Sequence, residues 1–171
     1  NVRIVNRDHD LKNEISLDNI SFYYDTPDEI ALDKINLSIK KGTVIGFIGE
    51  SGSGKSTLID LILGLLKPKN GQIHVDGKDI YEKISQWQSQ IGYIPQNIYI
   101  TDDSIRNNIA LGIEEKEIDD KKINESIKLA DLEDFIKSSS NGLQTILGER
   151  GARLSGGQLQ RVGIARALYH N

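Results

Sequence analysis

Between residues 49 and 57 the chain reads Gly49-Glu50-Ser51-Gly52-Ser53-Gly54-Lys55-Ser56-Thr57, and few local folds suit that sequence. It fits the pattern G-x-x-x-x-G-K-[ST], in which glycines let the backbone curl around a phosphate group with its N–H groups pointing inward. We expect Lys55 to lie between the β- and γ-phosphates of a nucleotide, Ser56 to bind Mg²⁺ and Thr57 to donate to the α-phosphate. Every residue of the loop is therefore a candidate nucleotide contact.

The residues before this loop have the sequence pattern of a strand, and those after it have the pattern of a helix. The apolar run Thr43–Ile48 predicts a buried parallel strand. Leu58–Leu66 is apolar enough for a helix covered on most sides, and we expect Lys67-Pro68 to end it. A strand, a phosphate loop and a helix in this order predict the core of a nucleotide-binding α/β domain.

The composition is that of a soluble domain with a sizeable core: 171 residues, 37% hydrophobic and 27% charged. No apolar run approaches the ~18 residues of a membrane span. A net charge of -4 argues against tight non-specific binding to nucleic acid, which requires a basic surface. The absence of cysteine excludes disulfides and fits a reducing cytoplasm. Because the sequence starts at Asn1 rather than Met, and a predicted helix runs to Asn171, we expect a fragment of a longer chain.

Alternating apolar residues follow a polar segment, residues 1–14, which we interpret as a linker from an upstream region. Residues 15–24 and 35–39 have apolar side chains near period two. This pattern predicts half-buried antiparallel strands, separated by the turn cluster Asp25–Asp28. Gln72–Val75, followed by a turn, is a further hairpin signal.

The character of the chain changes after residue 96. Before it, residues 84–90 suggest a short helix, and Ile91–Ile94 suggests a strand ended by Pro95-Gln96. After it, apolar residues recur at helical spacing through a charged stretch, and Asp103 or Ser104 can cap the first helix. We predict a helical subdomain over residues 97–156.

A second glycine-containing motif, Leu154-Ser155-Gly156-Gly157-Gln158, leads into the last predicted helix, residues 157–171. Ser155 is a good N-cap, and the two glycines allow an anion to approach the backbone closely. Taken alone, the motif is explained better by a capped helix after a flexible turn. Its occurrence in the same chain as the phosphate loop favours a second anion site.

Together the two motifs resemble the nucleotide-binding domain of the ATP-binding-cassette (ABC) superfamily, over residues 15–171. The phosphate loop and the L-S-G-G-Q signature are both unaltered. The resemblance implies an α/β P-loop NTPase fold with a RecA-like core, an antiparallel β subdomain and a helical subdomain, the C-terminal part of the core being missing. It also implies ATP and Mg²⁺ as cofactors, and in-line attack of water on the γ-phosphoryl group, with Lys55 stabilising the developing charge.

Two further segments are similar to motifs of this family. Residues 20–24 resemble its aromatic loop, which implies that Tyr24 stacks on adenine; Tyr23 is the alternative if the register differs by one residue. Tyr93-Ile94-Pro95-Gln96 resembles its glutamine loop. By that resemblance Gln96 approaches Mg²⁺ and the attacking water, and its loop contacts the coupling helix of a transmembrane domain.

Two nucleotide-binding domains of this family pack head to tail. The resemblance therefore implies that the signature, Ser155–Gln158, contacts the γ-phosphate of ATP on a partner domain and couples closure to that phosphate. Residues 104–109 and 145–151 resemble the exporter-type branch, and the second segment would place Glu149 and Arg150 near the transmembrane coupling region. We expect membrane contact only through the transmembrane domain, on the cytoplasmic side of the cell membrane, and no nucleic-acid partner.

The family's acidic strand, catalytic glutamate and switch histidine follow the signature helix and are absent from residues 1–171. We therefore expect the parent protein to hydrolyse ATP and the fragment to bind nucleotide weakly, with little turnover. The leading interpretation is the ATPase domain of a transporter. Alternatives are a non-transport relative acting on DNA or ribosomes, and a binding module without turnover. A nucleotide kinase or GTPase would leave Leu154–Gln158 unused.

Overall fold

The structure is a computed structural model that describes residues 11–26 and 29–170. The chain forms two compact units, and the boundary between them lies between Ile91 and Gly92. Most of the expected linker, part of the turn Asp25–Asp28 and the side chain of Arg150 lie outside the described residues.

A four-stranded antiparallel sheet, in the order β2-β1-β3-β4, forms the frame of the first unit. Its strands are β1 (Glu14–Tyr23), β2 (Ile30–Lys40), β3 (Asn70–Val75) and β4 (Lys78–Asp79). β1 pairs with both β2 and β3, and β3 turns back into β4. The predicted antiparallel strands and the hairpin after Val75 are confirmed.

A bulge in β1 keeps its apolar side chains on one face of the sheet. Leu17 and Ile20 differ by an odd number of positions, which would place them on opposite faces of a regular strand. The register shifts between them, and Asn19 takes a left-handed φ of 52°. Both side chains are buried as a result. The side-chain oxygen of Asn36 on β2 accepts a hydrogen bond from the Asn19 N–H at 2.9 Å.

Helix α1 (Lys55–Ile62) follows the glycine-rich loop and packs into the apolar face of the sheet. Leu58 and Leu61 are buried there. The helix ends at Ile62, so the predicted end at Lys67-Pro68 is wrong. Gly64 has a φ of 69°, and a left-handed glycine just after the last turn terminates a helix before any proline is reached.

Helix α2 (Ile84–Gln88), predicted as a short helix, completes the core of the first unit. A 3₁₀ turn, Ile80–Lys83, leads into it. Trp87 is buried, and its indole N–H donates to the carbonyl oxygen of Ile62 at 2.8 Å. Because Ile62 is the last residue of α1, this bond satisfies one of the carbonyls that a helix end leaves without a partner.

The structure contains no strand at two segments that the sequence predicted as strands, Thr43–Ile48 and Ile91–Ile94. Both predictions are therefore wrong. Val44 and Ile48 are each 99% exposed, whereas the apolar sequence predicted burial. A parallel strand is buried by the strands and helices that flank it, and within residues 11–26 and 29–170 no strand pairs with either segment.

The described part of the second unit contains four α-helices, which are connected by loops and short 3₁₀ segments. They are α3 (Ile105–Ile109), α4 (Asp120–Leu129), α5 (Glu133–Ser138) and α6 (Gly156–His170). Ser104 caps α3 by accepting the Asn107 N–H. The apolar residues predicted at helical spacing are buried in one core, including Ile105, Ile109, Ile118, Ile123, Ile127, Ala130 and Leu132. Across the part of the chain that the structure describes, no helix is both long and apolar enough to cross a membrane.

Asn108 connects several segments of this second unit. Its side chain is fully buried. The carboxamide oxygen accepts from the N–H and hydroxyl of Thr101 at 3.0 and 3.1 Å. The NH₂ group donates to the carbonyls of Thr101, Asp103 and Ser104 at 3.1, 3.3 and 3.0 Å. One amide therefore satisfies most of the polar groups of the turn before α3.

Asn108→Asp should destabilise the second unit. The substitution removes the NH₂ donor and turns a carboxylate toward the three carbonyl oxygens it served. We expect the free energy of unfolding to fall by about 3 kcal/mol, because one carboxylate oxygen is buried against carbonyl oxygens while only the other keeps the Thr101 donors. Denaturant unfolding followed by circular dichroism measures the change. Asn97→Asp, at an exposed position, is the matched control, and equal losses in the two variants would contradict the assigned role.

Candidate nucleotide-binding site

The glycine-rich loop before α1 curls tightly enough to require glycine. Gly52 and Gly54 both have a φ of 84°, which is costly for a residue with a Cβ. A Cβ at Gly54 would lie 2.6 Å from the carbonyl oxygen of Ala31 and 2.9 Å from the side chain of Leu32. The base of the loop is thus packed on β2. A Cβ at Gly52 would meet nothing within 4 Å, so this part of the loop is open.

Helix α1 starts at the loop, and its first turn has the properties of an anion-binding site. In the described part of the chain no side chain caps it, and its first turn contains no acidic residue. The first N–H groups of a helix lack partners within the helix and carry partial positive charge. A phosphate group meets both needs, so the geometry of Gly49–Thr57 suits the predicted phosphate contacts.

Lys55 folds back over the loop. Its Nζ donates to the carbonyl oxygens of Gly49 and Glu50 at 2.9 and 2.6 Å, and lies 3.2 Å from the Ser53 hydroxyl. These contacts use the three donors of an ammonium group. Phosphate oxygens can replace these acceptors and, because both partners are charged, form stronger hydrogen bonds.

Tyr24 lies just after β1 and contacts the phosphate-loop helix. Its side chain is largely exposed, and its hydroxyl is 2.8 Å from Oγ1 of Thr57 in α1. The neighbouring Tyr23 has a different environment, with Nζ of Lys69 5.0 Å from its ring centroid. Among the described contacts, Tyr24 rather than Tyr23 is therefore the aromatic residue beside the loop.

The two predicted Mg²⁺ contacts are polar and accessible. Ser56 is exposed in the first turn of α1, and Gln96 is exposed in the second unit. Within residues 11–26 and 29–170, no group of three or more His, Cys, Asp or Glu residues could hold a metal ion. A hydroxyl and an amide suit an ion that is bound largely by substrate phosphates and water, as Mg²⁺ often is.

The signature motif begins α6 with two reciprocal hydrogen bonds. The Ser155 N–H donates to Oε1 of Gln158 at 2.8 Å, and the Gln158 N–H donates to the Ser155 hydroxyl at 3.3 Å. This arrangement is a capping box, and it confirms the predicted N-cap. A Cβ at Gly156 would meet nothing within 4 Å, and one at Gly157 would first meet Arg161 at 4.0 Å. The helix start therefore leaves its backbone accessible to an anion.

Arg166, for which the sequence predicted no role, connects α6 to two other segments of the second unit by hydrogen bonds. Its Nε donates to the carbonyl oxygen of Asn108 at 2.8 Å and its Nη1 to that of Tyr99 at 2.9 Å. Among the described residues its buried Nη2 has no hydrogen-bond partner, and burial lowers the pKa of Arg166. These bonds tie the signature helix to residues that follow Gln96. The sequence feature that could have indicated this role is the presence of an arginine within the otherwise apolar stretch Ile164–Leu168.

The segment predicted to meet a transmembrane domain lies before the signature. Glu149 is exposed in a 3₁₀ turn, Glu149–Gly151. The side chain of Arg150 lies outside the described residues.

The family model described as ABC transporter matches residues 32–171. Among curated proteins, the chain is 44% identical over 163 residues to the toxin RTX-I translocation ATP-binding protein of Actinobacillus pleuropneumoniae. It has the same identity over the same length to the alpha-hemolysin translocation ATP-binding protein HlyB of Escherichia coli. Each match covers 95% of this chain and 23% of the relative, so the chain spans less than a quarter of the length of those proteins.

A solved structure of an ABC exporter also resembles this chain. A bacterial Atm1-family ABC exporter with ATP bound matches 94% of this chain and 28% of its own chain, with a TM-score of 0.82 and 34% identity. The match supports the predicted α/β nucleotide-binding-domain fold. Since the family model spans both the phosphate loop and the signature, this chain belongs to the ABC transporter family.

Proposed function

We propose that this chain is the ATP-binding and ATP-hydrolysing part of an exporter-type ABC transporter. The observation that carries the proposal is the phosphate loop, in which Lys55 lies over the open curl and helix α1 begins without a side-chain cap among the described residues. The names of the two toxin-translocation relatives and of the exporter structure support the transporter class. Turnover, transport and partners are proposed for the protein that contains this chain, since the chain spans less than a quarter of the length of those relatives.

The nucleotide binds along the loop and the start of α1. The backbone N–H groups of Gly49–Thr57 surround the phosphates, and Lys55 exchanges its loop acceptors for β- and γ-phosphate oxygens. Thr57 donates to the α-phosphate, and adenine stacks on the exposed face of Tyr24. In these roles Lys55, together with Mg²⁺, stabilises the charge that develops on the γ-phosphoryl group.

Ser56 and Gln96 are the residues proposed to bind Mg²⁺. When bound, this ion neutralises charge on the β- and γ-phosphate oxygens. The amide of Gln96 also orients the attacking water, since it can donate and accept hydrogen bonds at once. Its exposed position in the second unit leaves it accessible for both roles.

The signature acts on a nucleotide held by another domain. Ser155, Gly156, Gly157 and Gln158 contact the γ-phosphate of ATP on a head-to-tail partner, so that each site is complete only in the dimer. The loop of Gln96, with Glu149 and Arg150, contacts coupling helices of the transmembrane domain. The domain then lies at the cytoplasmic face of the membrane, and its sequence carries no net positive charge to attract nucleic acid.

ATP binding without turnover is the second candidate function for the isolated chain. It is favoured by the exposure of Val44 and Ile48 in the segment that leads into the loop. A segment without flanking strands holds the loop less firmly than a central strand does. Binding and hydrolysis of Mg-ATP should therefore be measured on the chain alone and on the full-length protein. Hydrolysis by the full-length protein supports the ATPase proposal, and binding without hydrolysis in both forms would replace it with the second candidate.

Lys55→Ala should remove most Mg-ATP binding. The ammonium group forms charge-assisted hydrogen bonds with phosphate, and losing them weakens binding by about 10- to 100-fold. Equilibrium titration with Mg-ATP measures the effect. Lys41→Ala, which removes the same charge from an exposed turn of the first unit, is the control. Equal affinities in the Lys55→Ala variant and the wild type would contradict the phosphate-loop assignment.

Ser155→Asp separates the capping role of Ser155 from its proposed role in phosphate binding. Aspartate caps a helix about as well as serine does, so the unfolding temperature should change little. Its negative charge opposes the γ-phosphate of the partner's ATP, so turnover by the full-length protein should fall at least about 10-fold. Mg-ATP binding to the variant's own phosphate loop should persist. Wild-type turnover in this variant would restrict Ser155 to helix capping.

A further inference from the structure

A hydrogen bond joins the two parts of the proposed site that meet the base and the phosphates. The hydroxyl of Tyr24 lies 2.8 Å from Oγ1 of Thr57. Thr57 is 6% exposed and fixed in the first turn of α1, whereas Tyr24 is 54% exposed in the turn after β1. The bond therefore connects an exposed loop residue to a buried position on a helix, where the backbone is held more firmly.

Tyr24 makes one contact through its ring and one through its hydroxyl. It meets the buried Phe22 in an edge-to-face arrangement, with ring centroids 5.0 Å apart and planes at 88°. Its hydroxyl meets Thr57. Asp25 and Thr26, which follow it, are exposed. The hydroxyl contact is thus the link between the exposed ring and the helix that starts the phosphate site.

The chemistry of the two hydroxyls allows Thr57 to serve two partners at once. Either hydroxyl can donate in this contact, and when the α-phosphate accepts the Thr57 proton, the phenol O–H of Tyr24 donates to Thr57. A threonine hydroxyl has two lone pairs and one proton. Thr57 can therefore hold the phenol and still donate its own proton to the α-phosphate.

We propose that Thr57 is a positioning residue for the adenine-stacking ring, and that it acts through the hydroxyl of Tyr24. The hydroxyl contact, at 2.8 Å, fixes the tip of the ring to α1 and so restricts the orientation of the exposed ring. This inference rests on the proposed function. It adds a role for the tyrosine hydroxyl that stacking alone does not need, because phenylalanine also stacks.

The test compares Mg-ATP affinity among Tyr24→Phe, Thr57→Val and the double variant, all in the full-length protein. Tyr24→Phe should weaken binding about 3- to 10-fold, the range for loss of one neutral hydrogen bond. Thr57→Val should weaken it at least as much, because it also loses the α-phosphate contact. The double variant should bind no more weakly than Thr57→Val, since one interaction is lost only once. Thr57→Ser, which keeps the hydroxyl, should recover most of the affinity.

Two controls separate positioning from a loss of stability. Tyr23→Phe removes a hydroxyl from the adjacent tyrosine and should leave the affinity unchanged. Inorganic tripolyphosphate has no base, so Tyr24→Phe should weaken its binding much less than that of Mg-ATP. A general loosening of α1 would weaken both ligands equally and overturn the proposal.

Two further outcomes would also overturn it. These are wild-type Mg-ATP affinity in Tyr24→Phe, and losses that multiply in the double variant. Either result leaves the proposed function intact if the wild-type protein binds Mg-ATP. A wild-type protein that does not bind Mg-ATP would overturn the proposed function and this inference together.

Discussion

A helix that begins without a side-chain cap needs an outside partner for its first N–H groups, and α1 is such a helix among the residues that the structure describes. The features of the first unit that matter for function surround this helix start. The left-handed glycines turn the chain into it, Lys55 folds over the loop, and Tyr24 contacts it through Thr57. An anion completes this arrangement because it offers acceptors and negative charge where the helix presents donors and positive charge.

The antiparallel sheet gives this helix start its support. At Gly54 the loop lies so close to Ala31 of β2 that a Cβ would clash, so the strand determines how deep the loop sits. The bulge at Asn19 keeps the apolar face of β1 continuous, and α1 packs its Leu58 and Leu61 into the same core. The phosphate loop is therefore positioned by packing on its β2 side, whereas the Thr43–Ile48 segment that precedes it is largely exposed.

The signature helix is held by a partly buried polar network as well as by apolar packing. Arg166 donates to the carbonyls of Asn108 and Tyr99, and Asn108 in turn satisfies the turn before α3. Such a network is favourable when its members are hydrogen-bonded, and it allows few alternative arrangements. At the other end of α6, Ser155 and Gln158 cap the helix with the same groups that we propose meet a partner's phosphate.

The sequence by itself determined the features that depend on near neighbours. Glycine placement predicted the tight curl of Gly49–Thr57, Ser155 the cap of α6, either Asp103 or Ser104 the cap of α3, and apolar spacing the antiparallel strands and the helices of the second unit. Tertiary structure decided the rest, because its causes lie far apart in the chain. Whether Thr43–Ile48 is buried depends on strands that must pair with it, and at the end of α1 the carbonyl of Ile62 is satisfied by Trp87, 25 residues further along the chain. The bonds of Tyr24 to Thr57 and of Arg166 to Asn108 follow no local pattern, since only the fold brings those residues within hydrogen-bond distance.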